Sequence, residues 1–270
     1  MVYTLNALTK PVSIQSLRKY KSRGEKFVTI ALYDAHMAAM AERCGVEIVL
    51  VGDSLGMTVL GFDSTIPVTM DHMLYHVEAV RRGNQKSLLI GDLPFMTYAN
   101  CTDAMHNAAR IMQAGAHMVK MEGGNWLCDT VHQLTQRGIP VCGHLGLTPQ
   151  SVNKLGGYFV QGRDETTANQ LLADALSLEQ AGCDLIVLEC IPQTLAADIS
   201  KALTIPTIGI GAGPHTDAQV LVINDILGLT EQPPKFSKNF LLETGNIPSA
   251  MQKFVLDVKN GLFPEPGHSF

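Results

Sequence analysis

Two stretches decide the fold: QAGAHMVKMEGG (Gln113–Gly124) and QAGCDLIVLEC (Gln180–Cys190). Each begins Gln-Ala-Gly, passes through a short apolar run, and reaches a glutamate seven residues after the glycine. The pattern reads as a helix end, a left-handed stop, a buried strand, and an acid at the strand's carboxyl end. Cys44-Gly45 leads to Asp53 in the same way, one residue longer. A unit that recurs along a chain in this form is a βα repeat.

Six further runs complete the set: FVTIALYD (Phe27–Asp34), EIVLVGD (Glu47–Asp53), SLLIGDL (Ser87–Leu93), PVCGHLG (Pro140–Gly146), PTIGIGA (Pro206–Ala212) and AQVLVIND (Ala218–Asp225). Most are continuously apolar, as strands buried on both faces of a parallel sheet must be. Helical patterns separate them. Thr69 predicts a cap for a helix running to Arg82, with Gly83 as its stop, and Thr102 predicts one ending near Gly115. Thr167-Ala168-Asn169-Gln170 reads as a capping box for a helix ending near Gly182, and Ser249–Asn260 reads as a last helix. Eight strands in βα alternation predict an α/β protein with a closed (β/α)8 barrel; a doubly wound open sheet is the alternative. We read residues 1–270 as one barrel domain with an N-terminal helical segment and a C-terminal helical extension.

Two connections exceed what a barrel needs, Ser54–Val68 and Leu147–Thr166, and both follow strands on the carboxyl side. Long loops there are candidate lids. Tyr158 and Phe159 on the second offer stacking faces for an aromatic ligand, although aromatic loop residues are common. The Gly209–Gly213 segment could bind phosphate, but it lacks the dinucleotide-binding glycine spacing and reads more readily as a tight βα turn.

Composition excludes several classes. Of 270 residues 46% are hydrophobic and 17% charged, which excludes a disordered chain and hints at surface hidden by self-association. The net charge of −5 and the absence of a basic block argue against nucleic-acid binding. Six cysteines form no C-x-x-C pair and sit largely in apolar runs, so a zinc site or disulfide framework is not expected. The first 26 residues are polar and no apolar stretch reaches the length of a membrane span, which predicts a cytoplasmic protein without membrane contact.

Asp53, Asp92, Glu122 and Glu189 end the second, third, fourth and sixth runs, and His144 lies near the end of the fifth. In a barrel that end carries the active site. Adjacent strands are about 4.8 Å apart, so Asp53, Asp92 and Glu122 can converge on one point. Clustered carboxylates repel unless protons or a cation intervene, and an all-oxygen set favours Mg²⁺ or Mn²⁺. Lys120 is two residues before Glu122 and shares its face of the strand. Each residue also has a plainer reading. Asp53 before Ser54 would cap a helix, Lys120 would be a structural ion-pair partner, and His144 a satisfied core histidine. Glu189 resists one, because an acid ending an apolar run must be paired or used.

Seven strings together carry a resemblance: VGDSLGM (Val51–Met57), DSTIPVTMDHMLYH (Asp63–His76), DLPFMTY (Asp92–Tyr98), VKMEGG (Val119–Gly124), PVCGHLGLTPQS (Pro140–Ser151), IVLEC (Ile186–Cys190) and IGIGAG (Ile208–Gly213). They closely resemble the 3-methyl-2-oxobutanoate (ketopantoate) hydroxymethyltransferase family of pantothenate biosynthesis, from about Ser13 to the terminal Pro-Gly-His-Ser. The resemblance implies a (β/α)8 barrel that acts on small-molecule substrates, with Mg²⁺ and with 5,10-methylenetetrahydrofolate as co-substrate. It also implies a homo-oligomer, a decamer of pentameric rings. Position by position, it implies metal binding by Asp53 and Asp92 with Glu122 grouped beside them. It implies substrate contact by Asp53, Ser54, Asp92 and Lys120, and proton abstraction by Glu189, with His144 accessory. Two of the runs depart from the family's usual pattern: the first has Ala31-Leu32, where Thr-Ala is usual, and the eighth has Asn224, where His is common. Three other readings stay open: a metal-dependent lyase or mutase on a similar barrel, a non-catalytic sensor of 2-oxo acids, and a Schiff-base aldolase using Lys120.

Overall fold

The computed structural model describes residues 7–270, so the polar leader falls in part outside the described residues. In chain order the elements are α1 (Ile14–Arg23), β1 (Phe27–Ala31), α2 (Ala35–Arg43), β2 (Ile48–Val51), α3 (Leu55–Thr58), α4 (Met70–Gly83), β3 (Leu88–Asp92), α5 (Cys101–Gln113), β4 (Met118–Glu122), α6 (Cys128–Thr135), β5 (Val141–Gly146), α7 (Val152–Leu155), α8 (Glu165–Ala181), β6 (Leu185–Glu189), α9 (Gln193–Ala202), β7 (Thr207–Ile210), β8 (Ala218–Val222), α10 (Ile223–Ile226), α11 (Leu241–Thr244) and α12 (Ile247–Lys259). Each strand lies inside one of the eight apolar runs. All pairings are parallel and follow chain order. The first strand pairs with the last from Phe27↔Ala218 to Ala31↔Val222, which closes the barrel and excludes the open sheet.

The two faces of each strand explain why the runs are apolar throughout. Phe27, Ile48, Leu50, Leu88, Ile90, Met118, Leu185, Val187, Ile208 and Val220 pack together inside the barrel. Val28, Ile30, Val49, Leu89, Val119, Val141 and Ile186 point outward into the layer shared with the helices. Leu17 of α1 is fully buried against the inner set and plugs the amino end of the barrel. At the last seam α10 is a single turn, so α12 supplies the cover by packing on β1. Phe240, Phe254 and Phe263 lock α12 down in an edge-to-face trio with centroids 5.5–5.6 Å apart.

Helix boundaries test the local signals. Thr69 caps α4 as predicted, with its hydroxyl on the His72 N–H and the His72 ring on the Thr69 N–H. Gly83 is the last residue of that helix. A Cβ there would sit 1.9 Å from the Ala35 carbonyl oxygen, so close approach of α2 explains the glycine. Two caps move toward the amino end. Asn100, not Thr102, caps α5, and Asp164, not Thr167, caps α8, accepting from the Thr167 N–H. An Asx side chain in extended backbone satisfies a free N–H better than a hydroxyl already inside the first turn. Gly182, left-handed at φ 112°, ends α8 as expected. The last helix starts at Ile247, capped by Asn246, two residues before the expected Ser249. The long connections are not structureless: α3 opens the first and α7 lies in the second. Among the described residues no helix is long and apolar enough to cross a membrane.

Candidate active site

Strand parity brings the site together. Counting by twos from the inner residues, Ile90 leads to Asp92, Met118 to Lys120 and Glu122, Cys142 to His144, and Val187 to Glu189. All five therefore point into the barrel at its carboxyl end. Register aligns them in rows, with Asp92 opposite Lys120 and Glu122 opposite His144. Asp53 has the outward parity of Val49 and Val51, but β2 ends at Val51 and the chain turns. Its N–H then donates to Asp92 Oδ2 at 3.1 Å, and its carboxylate joins the mouth. Gly52 makes that turn possible, because a Cβ there would lie 2.9 Å from Ser54 Oγ and 3.5 Å from Asp92 Oδ2.

The contacts are short and mostly buried. Lys120 Nζ donates to Asp92 Oδ2 at 2.7 Å and lies 3.9 Å from Glu122 Oε1. His144 Nδ1 donates to Glu122 Oε1 at 3.2 Å. Its Nε2 is 3.2 Å from Glu189 Oε2, within ion-pair reach but off hydrogen-bond alignment. Ser54 Oγ is 2.8 Å from the Tyr33 hydroxyl, and it makes no capping bond to α3. The helix-cap reading of Asp53 fails for the same reason: its Oδ2 accepts from Gln150 Nε2 at 2.8 Å. The Glu189 side chain is 14% exposed, against 2% for Asp92 and 3% for Glu122, so it is more open to a ligand than either.

Electrostatics follow from burial. Burial, then repulsion from Asp92 and Glu122, raises Asp53 well above the usual carboxylate range. Burial also raises Asp92 against the pull of Lys120. Burial opposes ionisation of Glu122 too, but His144, Lys120 and the Gln150 N–H together hold it low. For Lys120, burial is outweighed by Asp92, Glu122 and Asp53, which keep it protonated. His144 follows the same logic: burial and Lys120 act downward, yet the flanking Glu122 and Glu189 raise it to about 9. Four carboxyl groups thus face two cations.

That imbalance fits a divalent cation. Asp92 Oδ1 is buried without a hydrogen-bond partner. Both Glu122 oxygens are engaged, one by His144 and one by the Gln150 N–H. Among the described residues no three His, Cys, Asp or Glu side chains form a ready cage. Mg²⁺ suits such a site, since it commonly takes one or two carboxylates and completes its shell with water and substrate.

Two lids meet above the acids. The Tyr158 hydroxyl donates to Met57 Sδ at 3.6 Å, joining the β5 loop to the β2 loop. Burial, then the charges of Glu189, Asp53 and Glu122, raises the Tyr158 hydroxyl's pKa. A groove of about 380 Å³ lies between Gly123, Gly146 and Asp174, and none of Asp53, Asp92, Glu122 and Glu189 lines it. Of the Gly209–Gly213 segment, Gly209 and Ile210 end β7 and the tight turn follows, with Gly211 and Gly213 at positive φ and Gly209 against Thr216. Of the departures, Ala31 and Leu32 are buried in the core and Asn224 donates to the Thr58 carbonyl; among the described residues none of the three hydrogen-bonds to the acids through its side chain.

Sequence reasoning missed Gln150, Tyr98 and Gly52. Gln150 sits inside a motif string, yet a polar residue in a Thr-Pro-Gln turn carries no local sign of being 5% exposed.

The chain matches the family described as ketopantoate hydroxymethyltransferase over residues 11–266. It is 68% identical to the 3-methyl-2-oxobutanoate hydroxymethyltransferase of Saccharophagus degradans, covering 100% of both chains. It is 56% identical to the enzyme of the same name from Cronobacter sakazakii, over 97% of this chain and 99% of that one. Among solved structures, a phosphonopyruvate hydrolase superposes with a TM-score of 0.61 at 15% identity, over 81% of this chain and 84% of that one. A 2,3-dimethylmalate lyase superposes at 0.55 and 14% identity, over 77% and 80%. The two structural likenesses establish the barrel.

Proposed function

The chain belongs to the ketopantoate hydroxymethyltransferase family, and from that premise we propose that it moves a one-carbon unit from 5,10-methylenetetrahydrofolate to 3-methyl-2-oxobutanoate, giving 2-dehydropantoate. The observation that carries the chemistry is the barrel mouth, where four carboxyl groups face two cations and Asp92 Oδ1 stands without a partner.

Asp53 and Asp92 would hold one Mg²⁺, with Glu122 adding charge beside it. Bound there, the ion would draw electrons from a 2-oxo acid and make its C3 hydrogen more acidic. Glu189 accepts that proton; it comes from the strand beyond His144, and its carboxylate is more open than those of Asp92 and Glu122. His144 lies between Glu122 and Glu189, and its Nε2, 3.2 Å from Glu189 Oε2, would hold the base by charge. Lys120 supplies fixed positive charge for the anion that develops on the substrate. Ser54 lies beside Asp53 to meet the substrate's polar end. The C3 carbon then bonds to the methylene carbon, both C–N bonds between that carbon and the folate break, water provides the hydroxyl, and the proton from C3 and one from water end on the two folate nitrogens as tetrahydrofolate leaves. The two lids exclude other water during the step.

A Schiff-base route through Lys120 is disfavoured, because an amine held protonated by Asp92 is a poor nucleophile. The decisive assay supplies 3-methyl-2-oxobutanoate with and without methylenetetrahydrofolate and Mg²⁺. Formation of 2-dehydropantoate only when all three are present supports the reading, and folate-independent cleavage of a 2-oxo acid replaces it with a lyase. We extend the reading to a homo-oligomer, expected as a decamer, which the low charged fraction of 17% supports. Sedimentation giving a stable monomer at micromolar concentration would contradict that.

A further inference from the structure

One side chain ties the lid to the acids. Gln150 lies in the Pro149–Ser151 turn, directly after the start of the β5 lid. Its Nε2 donates to Asp53 Oδ2 at 2.8 Å and to the Leu93 carbonyl at 3.0 Å. Its Oε1 accepts from the Tyr98 hydroxyl at 2.5 Å, and its backbone N–H donates to Glu122 Oε2 at 3.0 Å. Both amide hydrogens are used and the oxygen is matched to a donor. Flipping the amide would set its oxygen against a carboxylate and a carbonyl, so the orientation is determined by its partners. One residue therefore links the carboxyl ends of β2, β3 and β4 to a loop that follows β5.

The neck of the same loop is tied to the base. The Leu147 N–H donates to the Glu189 carbonyl at 2.8 Å, and the Gln161 N–H donates to the Cys190 carbonyl at 2.9 Å. Cys190 is held at φ +46°, a left-handed conformation that a non-glycine residue adopts only under constraint. The lid thus leaves and returns at the Glu189–Cys190 peptide, and Gln150 fastens it to Asp53 and Glu122.

We propose that Gln150 is a positioning residue that makes lid seating and the orientation of the metal-binding carboxylates a single event. This rests on the function proposed above. A neutral amide is the chemistry such a role needs. It fixes one Asp53 oxygen without cancelling the carboxylate's charge, whereas a lysine there would compete with the cation. Partners of this kind typically change metal affinity or activity by about 10–100-fold when removed.

The test uses the full-length protein with Mn²⁺ as the probe, Gln150→Met to remove the amide at similar length, and Tyr98→Phe to loosen it from behind. Mn²⁺ affinity is measured without substrate. Tryptic cleavage after Lys154, an exposed lid residue, reports seating. In Gln150→Met, Mn²⁺ affinity and kcat/KM for the 2-oxo acid should each fall about 10–100-fold, and Lys154 cleavage should accelerate several-fold, with a cooperative melt retained. Tyr98→Phe should shift the same readouts the same way by a smaller factor, and it decides the matter if Gln150→Met does not fold. Folded variants with wild-type Mn²⁺ affinity overturn the proposal, even if the lid is cut faster, since that is the signature of packing alone. Weakened Mn²⁺ binding with unchanged cleavage overturns the coupling. A wild-type protein that binds Mn²⁺ yet forms no 2-dehydropantoate overturns the functional reading and leaves the Mn²⁺ and cleavage results to decide on Gln150.

Discussion

The two ends of the barrel carry similar charged residues in opposite arrangements. At the amino end three buried or half-buried acids each meet a cation of their own. Asp217 pairs with Lys21 at 2.8 Å, Asp184 with Arg18 at 2.9 Å, and Glu47 with Lys259. Spare oxygens there take backbone donors, such as the Thr207 N–H on Asp217 and the Val28 N–H on Glu47. At the carboxyl end Asp53, Asp92, Glu122 and Glu189 share Lys120 and His144, and Asp92 Oδ1 stays unpaired. Balance at one end and surplus at the other separate what holds the barrel from what it does. Burying unbalanced charge costs stability, and it persists where a ligand supplies the missing charge.

Substitutions at the two ends should therefore fail differently. The largest effect is expected at Glu189. Glu189→Gln should slow exchange of the C3 hydrogen of 3-methyl-2-oxobutanoate with D₂O by about 10²–10⁴-fold, while Mg²⁺ and the 2-oxo acid still bind. The exchange needs no folate, so it isolates the proton step. Exchange at the wild-type rate would remove Glu189 as the base and bring His144 forward.

Next in size is Asp92→Asn, which should weaken Mg²⁺ binding and activity together by at least about 10-fold, with thermal stability little changed. Unchanged metal affinity in both this variant and Asp53→Asn would erase the contrast between the ends. The matching change at the other end, Asp217→Asn, should do the reverse. It removes the partner of Lys21 and weakens bonds from Thr207, so it should cost about 1–3 kcal/mol in a denaturant melt. Metal affinity should not move. Loss of Mg²⁺ binding there would mean that the ends are coupled.

The smallest effect concerns pH. Burial raises the Glu47 carboxyl despite the Lys259 ion pair. A raised folded-state value means the native protein holds a proton that the unfolded chain has released. That contribution is complete below the ordinary carboxylate pKa and is lost as pH rises through the raised value. Wild type should thus lose stability relative to Glu47→Gln as pH rises from the ordinary carboxylate pKa toward neutrality, read from urea melts at a series of pH values. The opposite slope would show that the ion pair outweighs burial and that the amino end is better balanced than its geometry suggests.

Much of the carboxyl end is legible in the sequence, whereas the amino-end ion pairs are not. The apolar runs at 27–34, 184–190 and the six others marked the strands, because a strand buried on both faces has to be apolar along its length. The acids at their ends followed from the same count. Helix starts were less legible. Thr102 and Thr167 are sound caps in isolation, but Asn100 and Asp164 lie upstream and capture the free N–H groups first. The Glu122 assignment was legible as a member of the cluster, while the use of both its oxygens by His144 and Gln150 was not.

By itself the sequence determined the eight strands, their chain-order alternation with helices, and the inward set Asp92, Lys120, Glu122, His144 and Glu189. Those are consequences of local periodicity, and periodicity is written in neighbouring residues. Only the tertiary structure decided that β8 closes on β1 with α12 over the seam, that Asp53 turns inward past the end of β2, and that Gln150 reaches Asp53 from 97 residues away. Contacts at that separation leave no periodic trace. They exist because closing the barrel brings the loops after β2 and β5 over one mouth, where a buried amide must find every one of its partners.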